Sequence, residues 1–411
     1  MQVQVLRCWP ESPQLAAETL ADHFAANQWV QLVPPAGGPG PMLLDVEMPP
    51  GPGVVVASGG SSGKPRLCWQ PEQHLQRSAE ATAQWLTDLG ISPKQSLVFN
   101  PLPFHHVSGL MPWWRSRQWG ATHVWLSPER MKQPTDLLEF SKSQPGWDEK
   151  AVVLSLVPTQ LARLIGDPAG RTWLEHFSVI WVGGAALSDE LAQRARSAGL
   201  RLAPCYGATE TAAMVTAVAP EAFLAGENGC GSPLMDVELR QNSEGALQVR
   251  TPRLATCCWS ADQPNQLLPL TDAAGWWTSG DAALLERSQF GRRLLIQGRL
   301  DGALLSGGEV VFPERLEQCL WRQAQSHDLP LRDVLIVGIP HPVWGQQLVA
   351  LVCANKPEEL EALLAALQKF SAAWSAAEQP KRWLGCAELK RNAAGKWDRS
   401  YWRGLATKLV Q

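Results

Sequence analysis

Short apolar runs that break into a turn and then into helix-spaced positions recur along most of this chain, and they constrain its fold more than any other feature. Val54 to Ala57 runs into a glycine-serine turn; Leu75, Ala79, Ala83 and Leu86 then mark one face of a helix closed by Gly90, and Ser96 to Asn100 resumes as strand. Ala151 to Leu156 precedes a helical stretch from Thr159 to Ile165, and Val179 to Val182 precedes another from Asp189 to Ala198. Strands too apolar to keep a wet face, alternating with helices, predict βαβ units and a parallel sheet covered on both sides. Ala16, Leu20 and Phe24 add a helix after Ser12-Pro13, and Pro34 to Gly53 is dense enough in Pro and Gly to be loop. Gly245 to Gly298 is richer in strand, with turns at Asn242 to Gly245, Asp272 to Gly275 and Phe290-Gly291. After Asp301 a smaller pattern restarts: a helix near Pro313 to Gln325, a strand at Val334 to Gly338 and an Ala/Leu-rich helix from Glu358 to Phe370. At 411 residues the chain exceeds one ordinary domain. The expected fold is α/β: a large N-terminal domain over residues 1–300, of mostly parallel sheets covered by helices plus a β-rich subdomain, and a small α+β C-terminal domain over residues 301–411.

Charge and cysteine usage exclude several function classes. A formal net charge of −3 without Lys/Arg blocks argues against a nucleic-acid or anionic-membrane surface. The nine cysteines are scattered and never spaced Cys-x-x-Cys, which suggests neither a disulfide framework nor a zinc ribbon and fits reduced thiols. Met1 to Pro10 lacks the basic and apolar regions of a leader, and no apolar run reaches the ~18 residues of a spanning helix, so a cytoplasmic protein is expected.

Three segments carry chemistry. Ser58-Gly59-Gly60-Ser61-Ser62-Gly63-Lys64 offers backbone N–H groups, hydroxyls and an amine to phosphate oxygens. It is not a Walker A loop, because Pro65 follows the lysine where that motif needs Ser or Thr. Tyr206-Gly207-Ala208-Thr209-Glu210-Thr211 follows the expected strand Arg201 to Cys205, so Glu210 stands at a strand's C-terminal end, where α/β sheets bind ligands and a carboxylate can hold Mg²⁺. Trp277 to Asp281 and Gly298-Arg299-Leu300-Asp301-Gly302 supply an aspartate able to accept ribose hydroxyls, with Gly307-Gly308-Glu309 close behind. Each alone also describes an ordinary surface turn.

In order and spacing these segments resemble the core motifs of the adenylate-forming (acyl-CoA synthetase-like) superfamily: its Thr-Ser-Gly-Thr-Thr-Gly-x-Pro-Lys loop, Tyr-Gly-x-Thr-Glu turn, Thr-Gly-Asp aspartate and Gly-Arg-x-Asp hinge. Arg391 to Lys396 matches the C-terminal lysine motif and Trp344-Gly345-Gln346 a further segment, so the likeness runs from Val54 to Arg399. Departures are Gly59-Gly60 for Ser-Gly, Arg66 for Lys, Ser279 for Thr and Lys390 for Pro, none of which removes a group the chemistry needs. The loop starts at residue 58, much earlier than in most relatives, which implies a shortened N-terminus.

The resemblance implies an enzyme that joins a carboxylate to AMP and passes the acyl group to CoA, using ATP and Mg²⁺. It places the β- and γ-phosphates on Ser58 to Lys64, Mg²⁺ on Glu210 with Thr209, and the ribose on Asp281 and Arg299. Gly183, Gly184, Ala185 and Tyr206 line the adenine and acyl pocket, with Gly207 beside the acyl group. Lys396 meets the carboxylate and α-phosphate, and a mobile small domain turns about Asp301 to bring Gly307 and Gly308 to the thiol's approach. Phe104-His105-His106-Val107-Ser108-Gly109 further resembles 2-succinylbenzoate–CoA ligases of quinone biosynthesis, with His106 on the acyl and pyrophosphate side and Arg115 as the cation for a second carboxylate. A ligase for another aryl or medium-chain acid, a non-catalytic nucleotide-binding member and a stand-alone adenylation domain stay open, as does a homo-oligomer. Small molecules, and neither nucleic acid nor membrane, are the partners expected.

Overall fold

The structure, a computed structural model, describes residues 3–36, 49–58, 66–260, 263–389 and 397–410. The chain divides into two compact units. The first takes in Met1–Leu187, Leu191–Ser279 and Leu284–Ile296, and the second Ser188–Glu190, Gly280–Ala283 and Gln297–Gln411.

At the centre of the first unit is a seven-stranded sheet. Thr122–Trp125, Ser96–Asn100, Ala151–Leu156, Val179–Val182 and Leu202–Ala208 lie side by side and parallel, as the apolar runs predict. Ala213–Ala217 and Ser232–Pro233 then extend it antiparallel. One face is buried by the helices Pro134–Lys142, Pro158–Ile165, Pro168–Glu175 and Asp189–Ser197, through a core that joins Phe99, Leu154 and Ile180 to Trp173 and Phe177.

A second sheet has six strands. Gln4–Arg7, Trp29–Val33 and Gly53–Ser58 pair in parallel, and Arg66–Pro71, Cys257–Ser260 and Gln263–Pro269 continue antiparallel. The helices Glu72–Asp88 and Val107–Trp119 fill the space between the two sheets. Leu75, Ala79, Leu110 and Trp114 pack on Val30, Val54 and Val56 of the second sheet, while the Trp85 ring lies 5.9 Å from that of Trp181 of the first, tilted at 43°. Both helices keep exposed positions, such as Gln76 and Glu80 in the first and Arg117 and Gln118 in the second, yet Ser78, Thr82 and Arg115 lie on their buried sides. The β-rich stretch forms a four-stranded sheet, Glu238–Gln241, Ala246–Arg250, Trp277–Ser288 and Gly291–Arg299.

The second unit is built on a five-stranded sheet whose longest pair, Leu331–His341 and Gly345–Ala354, is antiparallel. Alternation decides which helix each residue meets. Val334 and Ile336 face the helices Pro313–Ser326 and Leu360–Ser371, whereas Leu335 and Val337 face Trp402 and Ala406 of the helix Arg399–Val410. Arg399 fastens that last helix: its Nη1 and Nη2 donate to the buried Glu317 carboxylate at 2.7 and 2.8 Å, and Nη1 also to Ile336 O at 2.8 Å.

One local expectation changes, and one helix goes unanticipated. Tyr206 to Ala208, expected in the turn, continues the strand, because Tyr206 and Gly207 find partners in Thr216 and Met214. The Phe-His-His segment leads directly into a helix, Val107–Trp119, that the sequence pattern hides.

Candidate active site

Ligand-binding groups in α/β sheets gather beyond the carboxyl ends of parallel strands, and the motif residues of the first unit do so here. Val182 ends its strand at Gly183, whose N–H donates to Leu156 O at 3.2 Å, and Gly184 and Ala185 follow as exposed residues. On the neighbouring strand Cys205 Sγ would lie 3.0 Å from a Cβ placed on Gly183, which sets that glycine beside the half-buried Tyr206.

The strand ends in a single 3-10 turn, Thr209–Thr211. Thr209 is buried and Glu210 half-buried. The turn lies against the strands Gly53–Ser58 and Arg66–Pro71, which enter and leave the glycine-serine loop. Ser58 hydrogen-bonds the Cys68 thiol, whose pKa burial pushes well up and the Glu210 carboxylate raises further, so Ser58, Cys68 and Glu210 are neighbours. The chain therefore brings the start of the first motif and the acid of the second together across 150 residues of sequence.

A second group lies along the helix Val107–Trp119. Asn100, buried at the end of its strand, donates to Gly109 O at 2.8 Å and accepts from Leu102 N at 3.2 Å, fixing the turn that presents the histidines. A Cβ on Gly109 would stand 2.2 Å from Pro103 O, so only glycine allows this approach. His106, exposed, precedes the helix, and its ring lies 4.2 Å from that of His105. Desolvation lowers both imidazole pKa values, that of His105 to about 4, leaving both neutral at pH 7.

Arg115 sits two turns further on and is 4% exposed. Its guanidinium carbon is 5.5 Å from the centre of the Trp181 ring, but Nε and Nη2 meet no hydrogen-bond partner among the described residues. Burial, then repulsion from Arg253, lowers its pKa to about 10, which still leaves it charged at neutral pH. A buried cation with unpaired donors is costly, and a carboxylate is the group that relieves it.

In the second unit Arg299 Nη1 pairs with Asp281 at 3.2 Å and Nη2 with Asp301 at 3.3 Å, so the aspartates of two motifs share one guanidinium. Asp301 lies in the 3-10 turn Leu300–Gly302. Gly307 and Gly308 turn the hairpin between Leu304–Ser306 and Glu309–Val311 at φ +58° and +85°, a pair of left-handed residues that favours glycine. Gly59, Gly60, Ser61, Ser62, Gly63, Lys64 and Lys396 lie outside the described residues.

Three further residues of the first unit touch the Thr-Glu turn and carry no motif signal: Gln70 donates to Thr209 O at 2.7 Å, Ser78 to Ala212 O at 2.6 Å, and Arg253 to Thr211 O at 3.1 Å. Trp181 and Cys205, the surroundings of Arg115, were likewise not anticipated, since strand periodicity marks them only as core.

The chain is 26% identical over 350 residues to the 2-succinylbenzoate–CoA ligase of Geobacillus sp. (strain WCH70), spanning 84% of this chain and 67% of that one. Its fold is similar to that of o-succinylbenzoate CoA synthetase from Bacillus subtilis in complex with the acyl-adenylate intermediate OSB-AMP, with a TM-score of 0.71 at 19% identity, covering 98% of this chain and 87% of that one. The same Bacillus enzyme in complex with ATP and magnesium ion gives a TM-score of 0.66 at 20% identity, covering 93% and 81%. The model of the AMP-binding enzyme family matches residues 44–252, just over half of the sequence and the stretch that carries the phosphate-loop and Thr-Glu motifs, and the chain belongs to that family.

Proposed function

We propose that this chain is an ATP-dependent 2-succinylbenzoate–CoA ligase. In the first step a carboxylate oxygen attacks the α-phosphorus of ATP, giving the acyl-adenylate and pyrophosphate. In the second the CoA sulfur attacks the acyl carbon, AMP leaves with the bonding electrons, and the thiol proton goes to solvent. A free carboxylate would have to expel oxide, whereas the adenylate expels AMP, which is why one hard step is divided into two.

The observation that carries the choice of acid is Arg115, a buried cation whose Nε and Nη2 have no partner among the described residues. A substrate with a second carboxylate, one not consumed by the reaction, is the acid such a group suits; the names of the related ligases support the same reading. His106, at the start of the helix, can offer the acid one ring N–H.

Glu210 is suited to Mg²⁺ in the mode where one carboxylate and the nucleotide's own phosphates share the ion, and among the described residues no cluster of three or more His, Cys, Asp or Glu offers an all-protein cage. When bound, Mg²⁺ draws charge from the phosphate oxygens. Ser58 and the loop to Lys64 hold the β- and γ-phosphates, Gly183, Gly184, Ala185 and Tyr206 the adenine, and Gly207 the acyl side. Asp281 and Arg299 take the ribose, Lys396 stabilises the charge that grows between carboxylate and α-phosphate, Asp301 is the hinge, and Gly307 and Gly308 lie along the thiol's approach.

Incubation with ATP, Mg²⁺, CoA and a panel of acids tests this. Thioester should form with 2-succinylbenzoate in preference to benzoate and medium-chain fatty acids. Equal or greater turnover of a monoanionic acid overturns the substrate assignment.

A further inference from the structure

The backbone of the Thr-Glu turn is held in an unfavourable conformation by side chains from outside every motif. Ala212 has φ +49° and ψ +50°, and Ala213 has φ +78°, so two successive residues with Cβ atoms occupy the left-handed region that glycine favours. Such a pair persists only where its surroundings over-determine it, and here the carbonyls are claimed one by one. Thr209 O accepts from Gln70 Nε2 at 2.7 Å, Glu210 O from Ala255 N at 2.8 Å, Thr211 O from Arg253 Nη1 at 3.1 Å, and Ala212 O from Ser78 Oγ at 2.6 Å. Arg253 is itself fixed, with Nε and Nη2 on the Asp236 carboxylate at 2.7 and 3.2 Å and Nη1 also reaching Met214 O and Ser78 Oγ. Gln70, Ser78 and Arg253 are all fully buried.

We propose that Gln70, Ser78 and Arg253 are positioning residues that set the Glu210 carboxylate for the magnesium–nucleotide complex. The inference rests on the reading of Glu210 given above. Gln70 also lies on the strand that leaves the glycine-serine loop, so its bond ties that strand to the acid-bearing turn. With the carbonyls pinned from behind, the turn cannot relax to an ordinary backbone, and the acid keeps one place before nucleotide arrives.

Calorimetric binding of ATP at fixed Mg²⁺, without acid or CoA, reads this directly in Gln70→Leu, Ser78→Ala and, as a control on the underlying reading, Glu210→Gln. Loss of one such bond should weaken Mg²⁺-dependent ATP binding about ten-fold in Gln70→Leu. Thioester formation from synthetic 2-succinylbenzoyl-AMP, which needs neither pyrophosphate nor its metal, should not change. Adding Ala213→Gly to Gln70→Leu should restore part of the affinity, because glycine holds φ +78° without help. If Glu210→Gln weakens Mg²⁺-dependent binding while Gln70→Leu and Ser78→Ala only lower the melting temperature, the positioning role is overturned and the reading of Glu210 stands. If Glu210→Gln itself binds as wild type, that reading has failed and takes the proposal with it. Should Gln70→Leu not fold, Ser78→Ala carries the test alone under the same outcomes.

Discussion

Replacing Arg115 by Met separates a binding role from a structural one, because the two effects have opposite signs. The side chain is 4% exposed and leaves Nε and Nη2 without partners among the described residues. Each buried, unsatisfied donor costs about 1–3 kcal/mol, so an apolar residue of similar length should stabilise the ligand-free protein by about 1–2 kcal/mol. For a unit of this size that is a rise in melting temperature of about 3 °C. In its proposed role Arg115 is the cation for the second carboxylate, a charge-assisted contact worth about 2–3 kcal/mol, so on that proposal kcat/KM for 2-succinylbenzoate should fall about 30- to 150-fold. Benzoate, whose one carboxylate is spent in the reaction, should lose little. Calorimetric melts and thioester formation with both acids measure the two effects side by side. A lower melting temperature, or an equal fall for both acids, would refute the reasoning.

Lys396→Ala should slow adenylate formation by about 3 kcal/mol, at least a hundred-fold, yet leave thioester formation from synthetic acyl-adenylate intact; comparing the two half-reactions checks it. His123 is half-buried, with Nδ1 3.0 Å from Ser116 Oγ, and desolvation lowers its pKa from 6.5 to about 3. The unfolded chain therefore takes up the proton first: the stability that neutral His123 permits is fully present above pH 6.5 and is lost toward pH 3. Denaturant unfolding should show a loss of about 1.4 kcal/mol per pH unit below 6.5 from this group, a slope that His123→Phe should lack. Glu317→Ala removes two of the bonds that hold the Arg399 guanidinium, leaving it Ile336 O and the more distant Glu314 carboxylate, and should destabilise the second unit by about 3 kcal/mol in urea melts.

The parallel sheet was legible because its strands are short and continuously apolar: Ser96–Asn100, Ala151–Leu156 and Val179–Val182 fall where the runs place them. The helix Val107–Trp119 was not, since its buried positions, Gly109 to Pro112 and Trp114 to Ser116, are nearly continuous and include polar side chains, so the one-sided apolar stripe that period 3.6 would reveal is missing. The first strands of the second sheet, Gln4–Arg7 and Trp29–Val33, did not stand out because Gln4, Arg7 and Gln31 interrupt their apolar runs. Glu210 could be singled out because its chemistry is local to a motif. Gln70, Ser78 and Arg253 could not, because their task depends on 39 to 175 positions of chain separation closing up in three dimensions.

The central claim, that a carboxyl oxygen attacks the α-phosphorus of ATP, is tested most directly with 2-succinylbenzoate labelled with ¹⁸O in its carboxylates. One turnover to the thioester with CoA should leave a single ¹⁸O in the phosphate of the AMP released, read by mass spectrometry. AMP free of the label, alongside thioester formation, would contradict an acyl-adenylate and with it the mechanism drawn here.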